Sequence, residues 1–176
     1  MKAFPKISHL LIAVTALVAV TAGVILSNPE PAMDQGAALI AQRAIFTAPD
    51  GERFSVDSWA GQYRIVNFWA TWCPPCLEEI PLFIRLQERF VDNNVTFIGI
   101  AVDKVDLVRS FVEANGVNYP ILVGSGDALE VSKIMGNYRA GLPYTVFLDP
   151  NGVILDRHFG VVPESKIAKF VAKILK

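Results

Sequence analysis

Cys73 and Cys76 are the only two cysteines in a chain of 176 residues, and two prolines separate them. Thiols at this spacing can close into a small disulfide ring and reopen it. So short a loop constrains the unfolded chain little, and the ring therefore adds little stability. Redox chemistry explains such a pair better than a structural role does. A plain structural disulfide and a zinc site are the competing readings. Structural zinc takes four ligands from Cys, His or carboxylate. The histidines are His9, in an N-terminal apolar segment, and His158, so a closed Cys/His site is not completed within the chain. No metal and no bound cofactor are expected; the reactive group is the Cys73–Cys76 disulfide itself.

An apolar run over residues 63–70 precedes the pair, and an amphipathic pattern over residues 74–91 follows it. The order strand, Cys-x-x-Cys, helix puts Cys73 at a helix N-cap. Free N–H groups and the positive dipole end favour a thiolate there. Because the thiolate is the nucleophile in exchange, Cys73 is expected to be the exposed attacking thiol. Cys76, in the first turn, is expected to resolve the mixed disulfide. Pro74 and Pro75 suit the first helical positions, where a missing N–H costs least. Neither can donate to the Cys73 sulfur, which leaves the N–H groups of Cys76 and Leu77. No His or Lys lies between the cysteines. A thiolate stabilised so little goes with a more reducing couple.

Glu79 lies three residues after Cys76, on nearly the same helix face. A carboxyl partly buried beside two sulfurs has a raised pKa and can pass protons to and from Cys76. The alternative is that Glu78 and Glu79 are both first-turn acids favoured by the dipole; for Glu78, solvent exposure is the expectation. Trp69 reads as core. Trp72 and Pro74, flanking Cys73, and Leu142 and Pro143, ahead of an apolar strand, are the candidate contacts for a bound partner. A cis Leu142–Pro143 bond would turn backbone groups of Leu142 toward a peptide, although cis is the minority state of X-Pro bonds. His158 reads as a strand or surface residue.

The elements that must position these residues follow from pattern and punctuation. Residues 44–47 and 52–54 flank Ala48-Pro49-Asp50-Gly51, a hairpin signal. Residues 56–61 suggest a short turn of helix. Residues 63–70 and 95–102 read as strands buried on both faces. The helix over 74–91 contains Pro81, which should kink it. A second helix covers 105–114 and stops at Asn115-Gly116. A short strand at 119–123 and a short helix at 129–135 follow. Residues 144–148 and 153–159 flank Asp149-Pro150-Asn151-Gly152, a strong turn. An amphipathic helix over 164–175 ends the chain. The fold class is α/β, with a mixed central sheet flanked by helices.

Residues 7–26 carry no charge apart from His9, and Lys2 and Lys6 precede them. The run can span a bilayer, with the N-terminus inside and the rest exported. Val20-Thr21-Ala22 offers a cleavage site before Gly23, so a signal peptide competes with an uncleaved anchor. The apolar stretch continues through Leu26, which favours the transmembrane anchor. Either reading places the domain where disulfides form. The organisation is residues 1–27 anchor or signal, 28–36 linker, and 37–176 one domain. A net charge of −1 with no basic stripe gives nucleic-acid binding no electrostatic support.

Val66-Asn67-Phe68-Trp69-Ala70-Thr71-Trp72-Cys73-Pro74-Pro75-Cys76-Leu77-Glu78-Glu79-Ile80-Pro81 and Gly141-Leu142-Pro143-Tyr144-Thr145-Val146-Phe147-Leu148-Asp149 together resemble the TlpA/ResA-like branch of thioredoxin-fold proteins. The resemblance covers residues 37–176. It implies a thioredoxin-like fold with an N-terminal β-hairpin and a strand–helix insertion over 95–123. It implies Cys73 as nucleophile, Cys76 as resolving cysteine, Glu79 as active-site acid and Pro143 as cis-proline. Asn67 stands where cytoplasmic thioredoxins carry a buried Asp. Tyr144 departs from the Glu or Thr more often seen after that proline.

The branch comprises exported, usually membrane-anchored thiol–disulfide oxidoreductases. The expected function is reduction of protein disulfides in the periplasm, with apocytochrome c a candidate client. The implied partners are protein thiol or disulfide clients and a membrane electron donor of the CcdA/DsbD type. A disulfide-forming oxidant is the alternative direction. A client-binding module or haem chaperone without turnover is the alternative class.

Overall fold

The computed structural model describes residues 34–175. The expected anchor or signal segment and most of the expected linker lie outside the described residues. Among the described residues, no helix is long and apolar enough to cross a membrane.

The sheet is built outward from two strands whose residues are buried on both faces. β3 (Tyr63–Trp69) and β4 (Val95–Val102) run parallel, with Asn67 opposite Gly99. Two short strands precede them, β1 (Phe46–Thr47) and β2 (Arg53–Phe54), paired antiparallel about Gly51, whose φ of +96° suits the turn. β5 (Ile121–Gly124) is parallel to β4 and pairs antiparallel with β1. β6 (Tyr144–Leu148) runs antiparallel to β3, and β7 (Ile154–Phe159) antiparallel to β6. The seven strands lie in the order β2-β1-β5-β4-β3-β6-β7, a mixed sheet. The expected hairpins, the strand–helix–strand insertion and the mixed sheet are therefore all present.

Among the described residues, five α-helices cover the two faces: α1 (Gln35–Ala41), α2 (Pro74–Phe90), α3 (Val105–Asn115), α4 (Gly126–Ile134) and α5 (Glu164–Ile174). Alternation along β3 sends Ile65 and Trp69 into one apolar cluster with Phe83 of α2 and Phe170 of α5. Val66 and Phe68 go to the other, with Ala38 of α1 and Val131 of α4.

Three details add to or depart from the sequence expectation. α1 starts inside the expected linker: Asp34 Oδ1 accepts from the N–H groups of Gly36 and Ala37 at 2.9 and 3.2 Å. Its other supports are distant in sequence, Gln35 to Ile154 and Gln42 Nε2 to the Gly152 carbonyl at 2.8 Å. The second is that α2 runs through Pro81 to Phe90, as the expected helix over 74–91 does. Pro81 is exposed, while Cys76, Glu79, Ile80 and Phe83 dock the helix on both sides of it. The third is Arg64, which breaks the apolar run of β3 yet is fully buried. Its guanidinium donates to the Val56 carbonyl at 3.1 Å, the Asp149 carbonyl at 3.2 Å and Asp57 Oδ1 at 3.4 Å. It thereby ties the start of β3 to the turn between β6 and β7.

Candidate active site

Cys73 and Cys76 are joined as a disulfide, with Cα atoms 5.3 Å apart. Cys73 is the N-cap of α2, and Pro74 and Pro75 fill its first two positions. Cys73 is only 5% exposed and Cys76 not at all. The expected order of accessibility therefore holds, but Cys73 presents a sliver rather than an exposed sulfur. The N–H groups of Cys76 and Leu77 both donate to the Cys73 carbonyl, at 3.0 and 3.3 Å. No hydrogen bond caps the helix through the Cys73 side chain.

The loop leading into the cysteines is tied to the next strand. Asp103, just beyond β4, accepts on Oδ2 from the Thr71 N–H at 2.9 Å and the Thr71 hydroxyl at 2.6 Å. Its Oδ1 accepts from the Lys104 N–H at 2.8 Å. Burial pushes the Asp103 carboxyl up, but the bonds from Thr71 and Lys104 and the Lys104 charge outweigh it and hold the group below its ordinary value. The sequence pattern did not announce this anchor. The available signal was an acid at the carboxyl end of a parallel strand, where sites in open α/β sheets gather.

Glu79 is not a solvated first-turn acid. It is 1% exposed, whereas Glu78 faces solvent as expected. Glu79 Oε1 accepts from Asn67 Nδ2 at 2.7 Å, and Oε2 accepts from the Val162 N–H at 3.0 Å. Asn67 Nδ2 also donates to Thr145 Oγ1 at 3.1 Å. Desolvation raises the Glu79 carboxyl from 4.5 to about 7, against the opposing pull of these two N–H donors. Thr145 and the Val162 N–H were not foreseen. Thr145 sits directly opposite Asn67 in the β3–β6 register.

A groove of about 360 Å³ opens beside the disulfide, lined by Trp72, Cys73, Pro74, Val102, Leu129, Ala140 and Leu142. Two larger clefts contain neither cysteine. Trp72 is 65% exposed, and Trp69 is core as expected. The Leu142–Pro143 peptide is cis. Of the pair, Leu142 lines the groove and Pro143 is buried. Asn137 holds the preceding segment, donating to the Gly141 carbonyl at 2.9 Å and accepting from the Gly141 N–H at 3.2 Å. Tyr144 is fully buried on the opposite sheet face, its hydroxyl donating to the Met135 carbonyl at 2.9 Å. It therefore belongs to the core and not to the groove. His158 lies in β7, with a ring nitrogen 3.0 Å from the Val161 carbonyl.

A disulfide at a strand–helix junction, beside a buried acid and an apolar groove on this mixed sheet, defines a thiol–disulfide oxidoreductase of thioredoxin-like fold. The Redoxin family profile matches residues 27–174, and the chain belongs to that family, in its ResA-like part. Thiol-disulfide oxidoreductase ResA of Bacillus thuringiensis (strain Al Hakam) is 27% identical over 132 residues, covering 74% of this chain and 73% of that protein. Thioredoxin-like protein YneN of Bacillus subtilis is 32% identical over 122 residues, covering 66% and 68%. A thiol:disulfide interchange protein of Chlorobium tepidum superposes with a TM-score of 0.65 at 29% identity, covering 76% of this chain and 93% of that one.

Proposed function

We propose that the chain works as a reductant of protein disulfides. The Cys73 thiolate attacks a client disulfide, forming a Cys73–client bond and expelling one client thiolate, which takes up a proton. Cys76 passes its proton to Glu79 and attacks the Cys73 sulfur. That breaks the mixed disulfide, releases the second client thiolate and leaves the Cys73–Cys76 disulfide. Two electrons have moved to the client. Trp72, Pro74 and Leu142 form the contact surface for the client, with Pro143 setting the Leu142 backbone.

The observation that carries the direction is the use of N–H groups around Cys73. Pro74 and Pro75 have none to give, and those of Cys76 and Leu77 are spent on the Cys73 carbonyl. A thiolate with so few donors is a poor leaving group, which favours the reduced enzyme as the giver of electrons. The relatives named for thiol–disulfide oxidoreduction support protein thiols as clients. Apocytochrome c, whose haem attachment needs reduced cysteines, is the client class we favour. Recycling through a membrane donor of the CcdA/DsbD type, and anchoring by residues 7–26 with the domain outside the cytoplasm, complete the reading.

Equilibration against a reference dithiol tests the direction. A potential near the oxidising extreme of about −120 mV would reject the reductant reading. Insulin reduction with turnover distinguishes an enzyme from a binding module. Cys76→Ser should accumulate mixed disulfides through Cys73, and mass spectrometry of the trapped species identifies the clients.

A further inference from the structure

Asn67 sits near the middle of β3, 1% exposed, on the face that meets α2. Its Nδ2 serves two acceptors, Glu79 Oε1 at 2.7 Å and Thr145 Oγ1 at 3.1 Å. Its Oδ1 is buried with no hydrogen-bond partner among the described residues. The other Glu79 oxygen takes the Val162 N–H at 3.0 Å. The arrangement suits a carboxylate, because both oxygens accept. It does not suit the neutral acid. Val162 N–H is a fixed backbone donor, so a proton on Glu79 must sit on Oε1. There it would face an amide nitrogen that has hydrogens and no lone pair to offer.

We propose that the Asn67 carboxamide turns over when Glu79 takes up a proton, so that Oδ1 accepts from the Glu79 hydroxyl and one residue serves both forms of the acid. The 2.7 Å separation between the two groups accommodates an O–H···O bond as well as the N–H···O bond present. The turned amide also brings Oδ1 to Thr145, whose hydroxyl rotates from acceptor to donor. Nδ2 then occupies the place of the unpartnered Oδ1. Each orientation leaves one end of the amide unserved, the carbonyl with ionised Glu79 and the NH2 with the neutral acid. Neither orientation is locked by a complete set of bonds. The pair is a two-state element that the proton on Glu79 biases.

The titratable neighbours do not decide the switch. The Tyr119 phenol, near Glu79, is pushed well above its ordinary value by burial and by the Glu79 charge, so it stays neutral. Cys73 and Cys76 carry no charge as a disulfide. Among the described residues, no Lys, Arg or His contributes to the Glu79 shift; burial raises it to about 7, so proton uptake falls in the neutral range. Asn67 is a positioning residue, acting on the thiols only through Glu79.

This inference rests on Glu79 as the proton carrier of the exchange, and nuclear magnetic resonance separates the two. The full-length oxidised chain, labelled with 13C and 15N in mild detergent, is titrated from about pH 5 to about pH 9. The Glu79 Cδ signal and the Asn67 Nδ2 hydrogens should shift with one midpoint. The contact of those hydrogens with Thr145, present at high pH, should disappear at low pH. A titrating Glu79 with that contact unchanged overturns the amide switch and leaves the proton carrier standing. No Glu79 titration in the range overturns both. Asn67→Leu adds a second reading. A fixed donor stabilises only the carboxylate, so its loss would raise proton affinity about tenfold or more. An amide serving both forms leaves the midpoint within about threefold, and the larger rise would refute it.

Discussion

Glu79→Gln should make the oxidised protein more stable at mildly alkaline pH and no more stable in acid. The folded carboxyl titrates at about 7 against an ordinary 4.5, because burial disfavours its charge. Between those values the folded chain holds a proton that the unfolded chain has released. Stability from this group is therefore complete below about 4.5 and is lost as pH rises through about 7. At 1.36 kcal/mol per unit, the full loss is about 3 kcal/mol. Gln carries no charge to desolvate, so this slope should vanish in the variant. Urea denaturation of both proteins at about pH 5 and about pH 8 measures the difference. With a slope of about 1–3 kcal/mol per molar urea, the variant's midpoint should lie about 1–3 M above wild type at the higher pH and near it at the lower. Asp103, held below its ordinary value, contributes with the opposite sign, but it is common to both proteins and cancels in the comparison. An equal difference between the two proteins at both pH values would show that Glu79 does not titrate near 7, and the proton-carrier argument would lose its basis.

Arg64→Ala should cost about 3–5 kcal/mol in the same denaturation assay, because it leaves the buried Val56 carbonyl, the half-buried Asp149 carbonyl and Asp57 Oδ1 without the guanidinium. A cost under about 1 kcal/mol would mean that solvent replaces the guanidinium. Pro75→His restores an N–H at the second position of α2, where an N-cap side chain finds its donor. One such bond to a thiolate is worth about 1.5–3 kcal/mol, so the potential should rise by about 30–60 mV on equilibration with glutathione; an unmoved potential refutes the donor-deficit argument. In the reduced protein, alkylation near neutral pH should reach Cys73 before Cys76, since only Cys73 keeps any exposure in the disulfide form. Peptide mapping that found Cys76 labelled first would reverse their roles.

What the sequence disclosed was the part of the molecule held together locally. β3 and β4 are nearly unbroken apolar runs because both faces are covered, and Asp149 accepts from the N–H groups of Asn151 and Val153 in the turn its neighbours announce. Cys73 and Cys76 were legible because one helix turn sets their spacing, whereas that spacing left Glu79 open between a proton relay and a first-turn acid, and only the family resemblance favoured the former. α1 was not legible, because seven residues of modest pattern owe their place to partners more than a hundred positions away. The same distance hid the surroundings of Glu79, whose Val162 donor is 83 residues on and whose Asn67 donor is bonded to a threonine 78 residues on. Helical periodicity reports which face of α2 is buried; it does not report what meets a carboxyl there. The stricter requirement that every buried polar group find a partner carries that information. Asn67 and Thr145 are polar side chains in central strands that, Arg64 apart, are largely apolar, and Glu79 lies on the helix above them. Each alone would be a costly burial, and their coincidence on one face is explained only if they serve one another. In a redox protein such a cluster marks where a proton can be held out of water, so the polar exceptions within the core carry as much of the functional argument as the cysteines do.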